Sequence, residues 1–412
     1  MARLTQPLAN AARRPTAPFA AAAAPRNDPD IGVPAAARLH VMHVMYEFTP
    51  GGMEFGVVKL VNALEPCGIR SSICSTRRGA SMQSLVAPTV QVFELDRRDG
   101  NDPRLVWQLY RLFRRVRPDI VHTHSWGTLI EGMIAARLAR VPVVIHGEHG
   151  TLQLQSHQKR LQRLVWSRVD QVLSVSARLT DRMAHETGFP VARIQTITNG
   201  VDCPRFARVT RRKAREALNL PAGAIVIGTI GRLVPVKDHA SLLKAVSLLG
   251  ERGLRPIVLV AGEGPLRDQL LEQARALGLQ SQLRLLGHRP DVETILAALD
   301  LFVLSSISEG LPNTVLEAMA ARLPVVSTQV GGAGEVVDDG VTGLLVPAQS
   351  ADQLARAMAA LIDDPERRAS MAAAGRQRVT TMFSLSETVR RYHELYRRLI
   401  TVKRAPGHRP RA

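Results

Sequence analysis

Residues 305–323 read SSISEGLPNTVLEAMAARL. The short apolar run in front of them, 301–304, has the composition of a buried strand, and the residues after the turn continue as a helix carrying Glu317. Between strand and helix lies Glu309-Gly310-Leu311-Pro312-Asn313. Such a turn leaves backbone N–H groups free at the helix start, where an anion can sit. Glu309 and Glu317 stand eight residues apart with the turn between them, so both carboxylates can face one ligand. One would address a sugar hydroxyl and the other a ribose hydroxyl. A second cluster, Gly231-Arg232-Leu233-Val234-Pro235-Val236-Lys237, follows the apolar run 224–230 and is expected to open a helix. The two clusters together read as a site for a nucleoside diphosphate with a sugar attached.

Outward from these clusters, short apolar runs alternate with helical patterns along the whole chain. In the second half, strands are expected at 224–230, 256–261, 283–286, 301–304, 324–327 and 344–346. Gly262-Glu263-Gly264-Pro265, Gly287-His288-Arg289-Pro290 and Gly331-Gly332-Ala333-Gly334-Glu335 follow three of them. Repeated glycine or polar turns at strand C-terminal ends suit a ligand cleft on that edge of a sheet. Helices at 351–363 and 366–379 close this half, and a last helix at 386–399 is expected to cross back onto the first.

The first half opens with an apolar run at 39–46, then Thr49-Pro50-Gly51-Gly52-Met53-Glu54, then a helical pattern to Leu64. Strand, glycine turn, helix is the start of a nucleotide-binding α/β unit, and Gly51-Gly52 lets backbone approach a ligand. Strands follow near 71–75 and 90–94. The helix at 104–117 sets Leu105, Leu109, Leu112, Phe113 and Val116 against Arg111, Arg114, Arg115 and Arg117, which reads as an ordinary amphipathic helix; a membrane-surface role is the alternative. The strand at 119–126 carries His122 and His124 on one face near its C-terminal end. His124 reads as a cleft-lining residue, while His122 could equally be packed in the core; a metal pair would want a third ligand, and none lies close in sequence. After a strand at 141–148, the polar stretch 153–163 is a candidate acceptor-side loop and helix. A strand at 171–176, a helix at 177–187 and a strand at 193–197 complete the half, and Asn199-Gly200-Val201-Asp202 is the natural hinge.

At 412 residues the chain exceeds one ordinary core, and 45% apolar residues can fill two. No apolar run reaches the roughly 18 residues a spanning helix needs. Three cysteines, Cys67, Cys74 and Cys203, show no metal spacing and read as reduced thiols of a cytoplasmic protein. The net charge of +18 is concentrated away from residues 201–382, which hold 21 basic against 19 acidic groups. With aromatics at 4% and no motif that interleaves them with charge, nucleic acid is not an expected partner. Anionic lipid headgroups or phosphorylated acceptors suit the charge. Residues 1–37 form an Ala/Pro/Arg-rich stretch, read as a disordered extension or an upstream start rather than a signal peptide.

Taken together, Gly51-Gly52, His124, Asn199-Gly200-Val201-Asp202, Gly231-Arg232 with Lys237, Gly262-Glu263-Gly264 and the pair Glu309 and Glu317 resemble the family 4 retaining glycosyltransferases, over residues 39 to about 400. Within that family the chain looks closest to enzymes of bacterial exopolysaccharide loci, including those tied to exosortase sorting systems. The resemblance implies an α/β fold of the GT-B type, two Rossmann-like domains facing across a cleft. The expected divisions are an extension at 1–37, an acceptor domain at 38–200, a donor domain at 201–382, a helix at 383–400 packing back on the first domain, and a basic tail at 401–412. It also implies roles. Gly51 and Gly52 approach the donor phosphates, Arg232 and Lys237 hold the diphosphate, and His124 contacts the transferred sugar. Glu309 addresses sugar hydroxyls beside the backbone of Gly310, Leu311, Pro312, Asn313 and Thr314, and Glu317 takes the ribose. Gly262, Glu263 and Arg289 complete the donor side.

The residue types fit the chemistry. Breaking the anomeric C–O bond puts negative charge on the departing diphosphate, which two fixed cations and helix N-termini can stabilise without a metal. The only Asp-x-Asp pattern, Asp28-Pro29-Asp30, lies in the extension and is set aside. No cofactor is expected, since the nucleotide sugar, UDP-linked by preference, is a substrate. The expected acceptor is a glycan or polyprenyl-linked sugar, met in the cytoplasm, with contact at the inner face of an anionic membrane as a further expectation. Same-face attack is favoured, with Glu309 as nucleophile the competing route. A nucleotide-sugar epimerase or a non-catalytic binding protein of the same fold is the alternative; a dehydrogenase is disfavoured because Gly262-Glu263-Gly264 is followed by Arg267, not glycine.

Overall fold

Continuous apolar runs suit strands covered by helices on both faces. In the computed structural model, which describes residues 38–405 except 101 and 151–154, these runs form two parallel sheets. The extension at 1–37 with Asp28-Pro29-Asp30, the start of the polar stretch after the fifth strand, and the end of the basic tail lie outside the described residues. The first sheet comes from β1 (Leu39–Met45), α1 (Gly52–Leu64), β2 (Ile69–Ser75), β3 (Gln91–Glu94), α2 (Arg104–Val116), β4 (Ile120–His124), α3 (Trp126–Leu138), β5 (Val143–Glu148), α4 (Ser156–Trp166), β6 (Gln171–Ser174), α5 (Ala177–Thr187) and β7 (Ile194–Thr196). After α6 (Arg211–Ala217) the second sheet runs β8 (Val226–Ile230), α7 (His239–Glu251), β9 (Ile257–Ala261), α8 (Arg267–Ala276), β10 (Leu283–Gly287), α9 (Val292–Ala298), β11 (Leu301–Leu304), α10 (Asn313–Ala320), β12 (Val325–Thr328), α11 (Ala333–Val336) and β13 (Gly343–Val346). The helices α12 (Ala351–Ile362), α13 (Pro365–Met382) and α14 (Leu385–Arg404) finish the chain.

The strand orders are β3-β2-β1-β4-β5-β6-β7 and β10-β9-β8-β11-β12-β13. Each order reverses once, between β1 and β4 and between β8 and β11. Open α/β sheets bind ligands beyond the strand ends at such reversals. β1 leads to Gly51-Gly52 and β4 ends on His124, while β8 leads to Gly231-Arg232 and β11 to Glu309. Four of the clusters read from sequence therefore fall on the two reversal points.

One local expectation is corrected. Residues 231–237 do not open a helix: Pro235–Lys237 form a 3-10 turn, and α7 starts only at His239. Asp238 takes a left-handed φ of 46° and its carboxylate accepts from Ser241 N at 3.2 Å, so the cap sits after both cations.

The last helix returns to the first half. Val389, Tyr392, Leu395, Tyr396 and Ile400 join Leu39, Val41, Leu60, Leu64 and Ile69 in one buried cluster. The two crossings of the chain run side by side. Val201 N donates to Phe383 O at 2.9 Å and Leu385 N donates to Val201 O at 3.1 Å.

Candidate active site

The β11–α10 turn brings the two halves into contact. Gly310 O accepts from Ser176 Oγ at 3.0 Å and from Gly332 N at 3.0 Å. A Cβ on Gly310 would collide with the His149 carbonyl, and one on Gly331 would collide with the Glu309 carbonyl, so only glycine fits these approaches. Glu309 Oε1 accepts from Lys237 Nζ at 2.6 Å and from Ser306 Oγ at 2.6 Å. Asn313, the first residue of α10, donates from Nδ2 to Gly52 O at 2.9 Å and accepts from Asn199 Nδ2 at 3.0 Å. The start of α1 and the start of α10 are thereby brought together, with Thr314 next along and Leu311 and Pro312 buried beneath.

Arg232 and Lys237 share one loop. The Lys237 side chain passes over Gly231, 3.7 Å from where a Cβ would stand, and the Arg232 carbonyl accepts from His239 Nε2 at 3.1 Å. The Arg232 side chain is exposed and close enough to Glu54 to favour its ionised form. Burial works the other way and is the stronger effect, pushing the Glu54 carboxyl above its ordinary range. The glycine loops stack beneath: Gly231 N donates to Ala261 O, Gly262 N to Gly287 O and Leu233 N to Glu263 O, at 2.9, 2.8 and 2.8 Å. Gly262, at φ 147°, has no room for a Cβ against the Gly231 carbonyl. Glu263 Oε1 accepts from His288 N at 3.2 Å, and Arg289 is bound in a fork by Asp291 at 2.7 and 2.7 Å. Gly262, Glu263 and Arg289 therefore form one edge, but the Arg289 fork is already engaged.

His124 sits in a row of imidazoles. His43 Nδ1 and His124 Nε2 share a hydrogen bond of 3.0 Å, and His124 Nδ1 and His149 Nε2 share another of 3.0 Å. His122 Nδ1 meets the Tyr396 hydroxyl at 3.0 Å, so the strand-end pair divides: His122 is packed under α14, and His124 lies along the cleft with His149, Asn199 and Asn313. Burial is the main cause that pushes these rings down, His43 to about 3 and His149 to about 4. His122 and His124 fall well below the usual imidazole range, first through burial and then through neighbouring imidazoles. The third ligand missing from the sequence stands here: ligand-capable atoms of His43, His122 and His124 lie within 4.8 Å of one another. Both nitrogens of His124 are committed to its neighbours, however, and a metal bond would break one of those hydrogen bonds. Only His43 Nε2 and His122 Nε2 are without partners in this trio.

Glu317 finds a partner the sequence did not suggest. Lys59 Nζ, from α1, donates to its Oε1 at 2.8 Å, with both side chains largely buried. The signal was present, since Lys59 interrupts the apolar face of α1, and a buried lysine needs a counter-charge. Asn199 and Ser176 were missed as contacts because each acts across the halves, 114 and 134 residues from its partner. Glu335 also reaches over. Its two oxygens accept from Ala177 N at 2.9 Å and Arg178 N at 2.7 Å, at the start of α5.

Comparison with known proteins bears on the same segments. The profile of the family described as Glycosyltransferase Family 4 matches residues 50–205, and that of Glycosyl transferases group 1 matches residues 210–378. The chain is 30% identical over 311 residues to the UDP-Gal:alpha-D-GlcNAc-diphosphoundecaprenol alpha-1,3-galactosyltransferase of Escherichia coli, covering 72% of this chain and 79% of that protein. It is 30% identical over 318 residues to the D-inositol 3-phosphate glycosyltransferase of Corynebacterium glutamicum (strain R), covering 71% and 75%. In fold it resembles Anabaena Alr3699/HepE, solved in complex with UDP, with a TM-score of 0.75, 22% identity, and coverage of 87% of this chain and 100% of that one.

Proposed function

Because this chain belongs to family 4 of the glycosyltransferases, with a two-sheet GT-B fold, we propose that it moves a sugar from a UDP-sugar to a glycan or lipid-linked acceptor, with retention and without a metal ion. The observation that carries this reading is the Asn313–Gly52 contact. It places the N-terminus of α10 against the glycine turn of the first half, with the Arg232 and Lys237 loop alongside Glu309. The Escherichia coli relative, named for a UDP-galactose donor and a diphosphoundecaprenol acceptor, supports both the donor and the lipid-linked acceptor. On the same grounds we place the reaction in bacterial exopolysaccharide or cell-surface glycan synthesis.

The chemistry follows from the residues. As the anomeric C–O bond breaks, its electron pair passes to the diphosphate oxygen, where Arg232, Lys237 and the first N–H groups of α10 stabilise the charge. The acceptor hydroxyl attacks the face the diphosphate leaves, and its proton passes to a departing phosphate oxygen. Glu309 orients sugar hydroxyls; its Oε1, held by both Lys237 and Ser306, suits positioning better than nucleophilic attack. His124, buried and bonded through both nitrogens to His43 and His149, backs the cleft as a neutral ring rather than touching the sugar. Among the described residues no helix is long and apolar enough to cross a membrane. A lipid-linked acceptor would instead be met at the surface, where α2 presents Trp107, 60% exposed, among Arg111, Arg114 and Arg115.

Calorimetric titration of the protein with UDP in EDTA tests the donor site. A Kd on the order of 1 μM to 1 mM, the usual range for substrate sites, is expected. Arg232→Ala and Lys237→Ala should each weaken binding about tenfold, about 1.4 kcal/mol. No heat with UDP or GDP would remove the donor assignment. A panel of nucleotide sugars with a polyprenyl-linked acceptor, read by product mass, then identifies the sugar.

A further inference from the structure

A second cationic wall faces Glu309 from the opposite half. Arg178 and Arg182 lie one turn apart on α5, and both line a cleft of about 350 Å³ whose other wall is Ile307, Ser308, Glu309, Val330 and Gly331. That volume is within the roughly 300–1,000 Å³ of small-molecule sites. Among the described residues neither guanidinium forms an ion pair, and both side chains are exposed. The carboxylates around them are engaged elsewhere. Glu309 is held by Lys237 and Ser306 and Glu335 by the backbone of Ala177 and Arg178; Glu186 is held first by Lys159, with Arg182 one of the weaker charges that also favour its ionised form, and Asp181, on the same helix, is exposed. Arg178 also stands in the first turn of its helix, one turn from the like charge of Arg182. The Glu335 carboxylate on the first N–H groups of α5 already complements the dipole, and an anion between the two guanidiniums would relieve the remaining like-charge repulsion.

We propose that this cleft is the acceptor's anion subsite, in which Arg178 and Arg182 grip a phosphate or diphosphate ester on the acceptor. The inference rests on the glycosyltransferase reading and adds the acceptor's chemical class to it. Lys237 ties Glu309 to the loop assigned to the donor diphosphate, whereas Arg178 and Arg182 approach from the first half. A phosphate held by them leaves a neighbouring sugar hydroxyl beside Glu309, where the donor sugar would be. Guanidinium forks suit phosphate oxygens, two contacts per residue. The ester could come from a lipid-linked diphosphate or from a soluble sugar phosphate, and the two share this recognition.

The test uses the full chain saturated with UDP, so that the donor site is filled, and titrates inorganic pyrophosphate, a short prenyl diphosphate and a hexose 1-phosphate. At least one ester is expected to bind, and in Arg178→Gln/Arg182→Gln its Kd should rise tenfold or more while the UDP Kd stays within twofold. Lys at both positions should recover part of the affinity, which a purely structural role would not require. Preference for the prenyl diphosphate assigns the lipid-linked source, and preference for the hexose phosphate assigns the soluble one. If no probe binds the UDP-loaded protein, or the glutamine variant binds all three like the wild type, the subsite is refuted while the donor site stands. Should UDP itself fail to bind, the donor reading falls, and the same titrations without UDP still decide the arginines.

Discussion

Glu317 Oε1 meets the Lys59 ammonium at 2.8 Å, where the sequence offered only a carboxylate eight residues beyond another. The spacing of Glu309 and Glu317 was legible because one turn and one helix separate them. Lys59 was not, because it lies 258 residues away and meets Glu317 only when the halves close. If Glu317 binds ribose, Glu317→Gln should raise the UDP Kd about tenfold, about 1.4 kcal/mol, and leave that of inorganic pyrophosphate unchanged. Equal losses for both probes would make Glu317 a structural residue. The imidazole row gives a second prediction. Unfolded, each ring titrates near 6.5; folded, His43 is near 3 and His149 near 4, with His122 and His124 also depressed. The unfolded chain therefore takes up protons first as pH falls. Stability is fully present above about 6.5 and is lost on acidification towards the folded values, by up to about 1.4 kcal/mol per pH unit for each ring. Melting curves should show Tm falling steeply from pH 7 to 5, and a flat profile would mean these rings charge without penalty.

At the scale of elements, strands and helices were largely visible as apolar runs and helical periods, since a parallel sheet covered on both faces writes its strands as unbroken apolar stretches. What periodicity could not show was the cap: Pro235 and Asp238 delay α7 until after both cations. Nor could it show which helices stand side by side. α3 packs between α2 and α4, and these three expose Trp107, Ile134, Leu138, Leu161 and Leu164 together with Arg111, Arg114, Arg115, Arg160 and Arg163. Read alone, α2 was an ordinary amphipathic helix; beside its neighbours it belongs to a basic, apolar-studded face. Vesicles containing anionic lipid should sediment the protein at low salt, and Trp107→Ala with Arg114→Glu and Arg115→Glu should weaken that binding at least tenfold. Equal binding to neutral and anionic vesicles would rule out this face as an electrostatic contact.

For the whole molecule, the turn at Asn199-Gly200-Val201-Asp202 and the return of the last helix to the first half were both expected from the sequence, but the backbone pairing of Val201 with Phe383 and Leu385 was not, because the partners stand more than 180 residues apart. Gly200 packs directly on Leu385 and Ser384, and a Cβ there would stand 2.6 Å from Leu385 Cα and 2.7 Å from Ser384 O. Gly200→Ala should therefore destabilise the protein by about 1–3 kcal/mol, read as a lower denaturant midpoint. An unchanged midpoint would show that the crossing yields easily.

The pairing of Val201 with Phe383, Ser384 and Leu385 ties the two crossings of the chain into one seam. A door hung on one pin can swing but cannot slide. If the lobes part, Asn313 and Gly52 would separate by turning about that one seam, and the same seam would guide them back into contact.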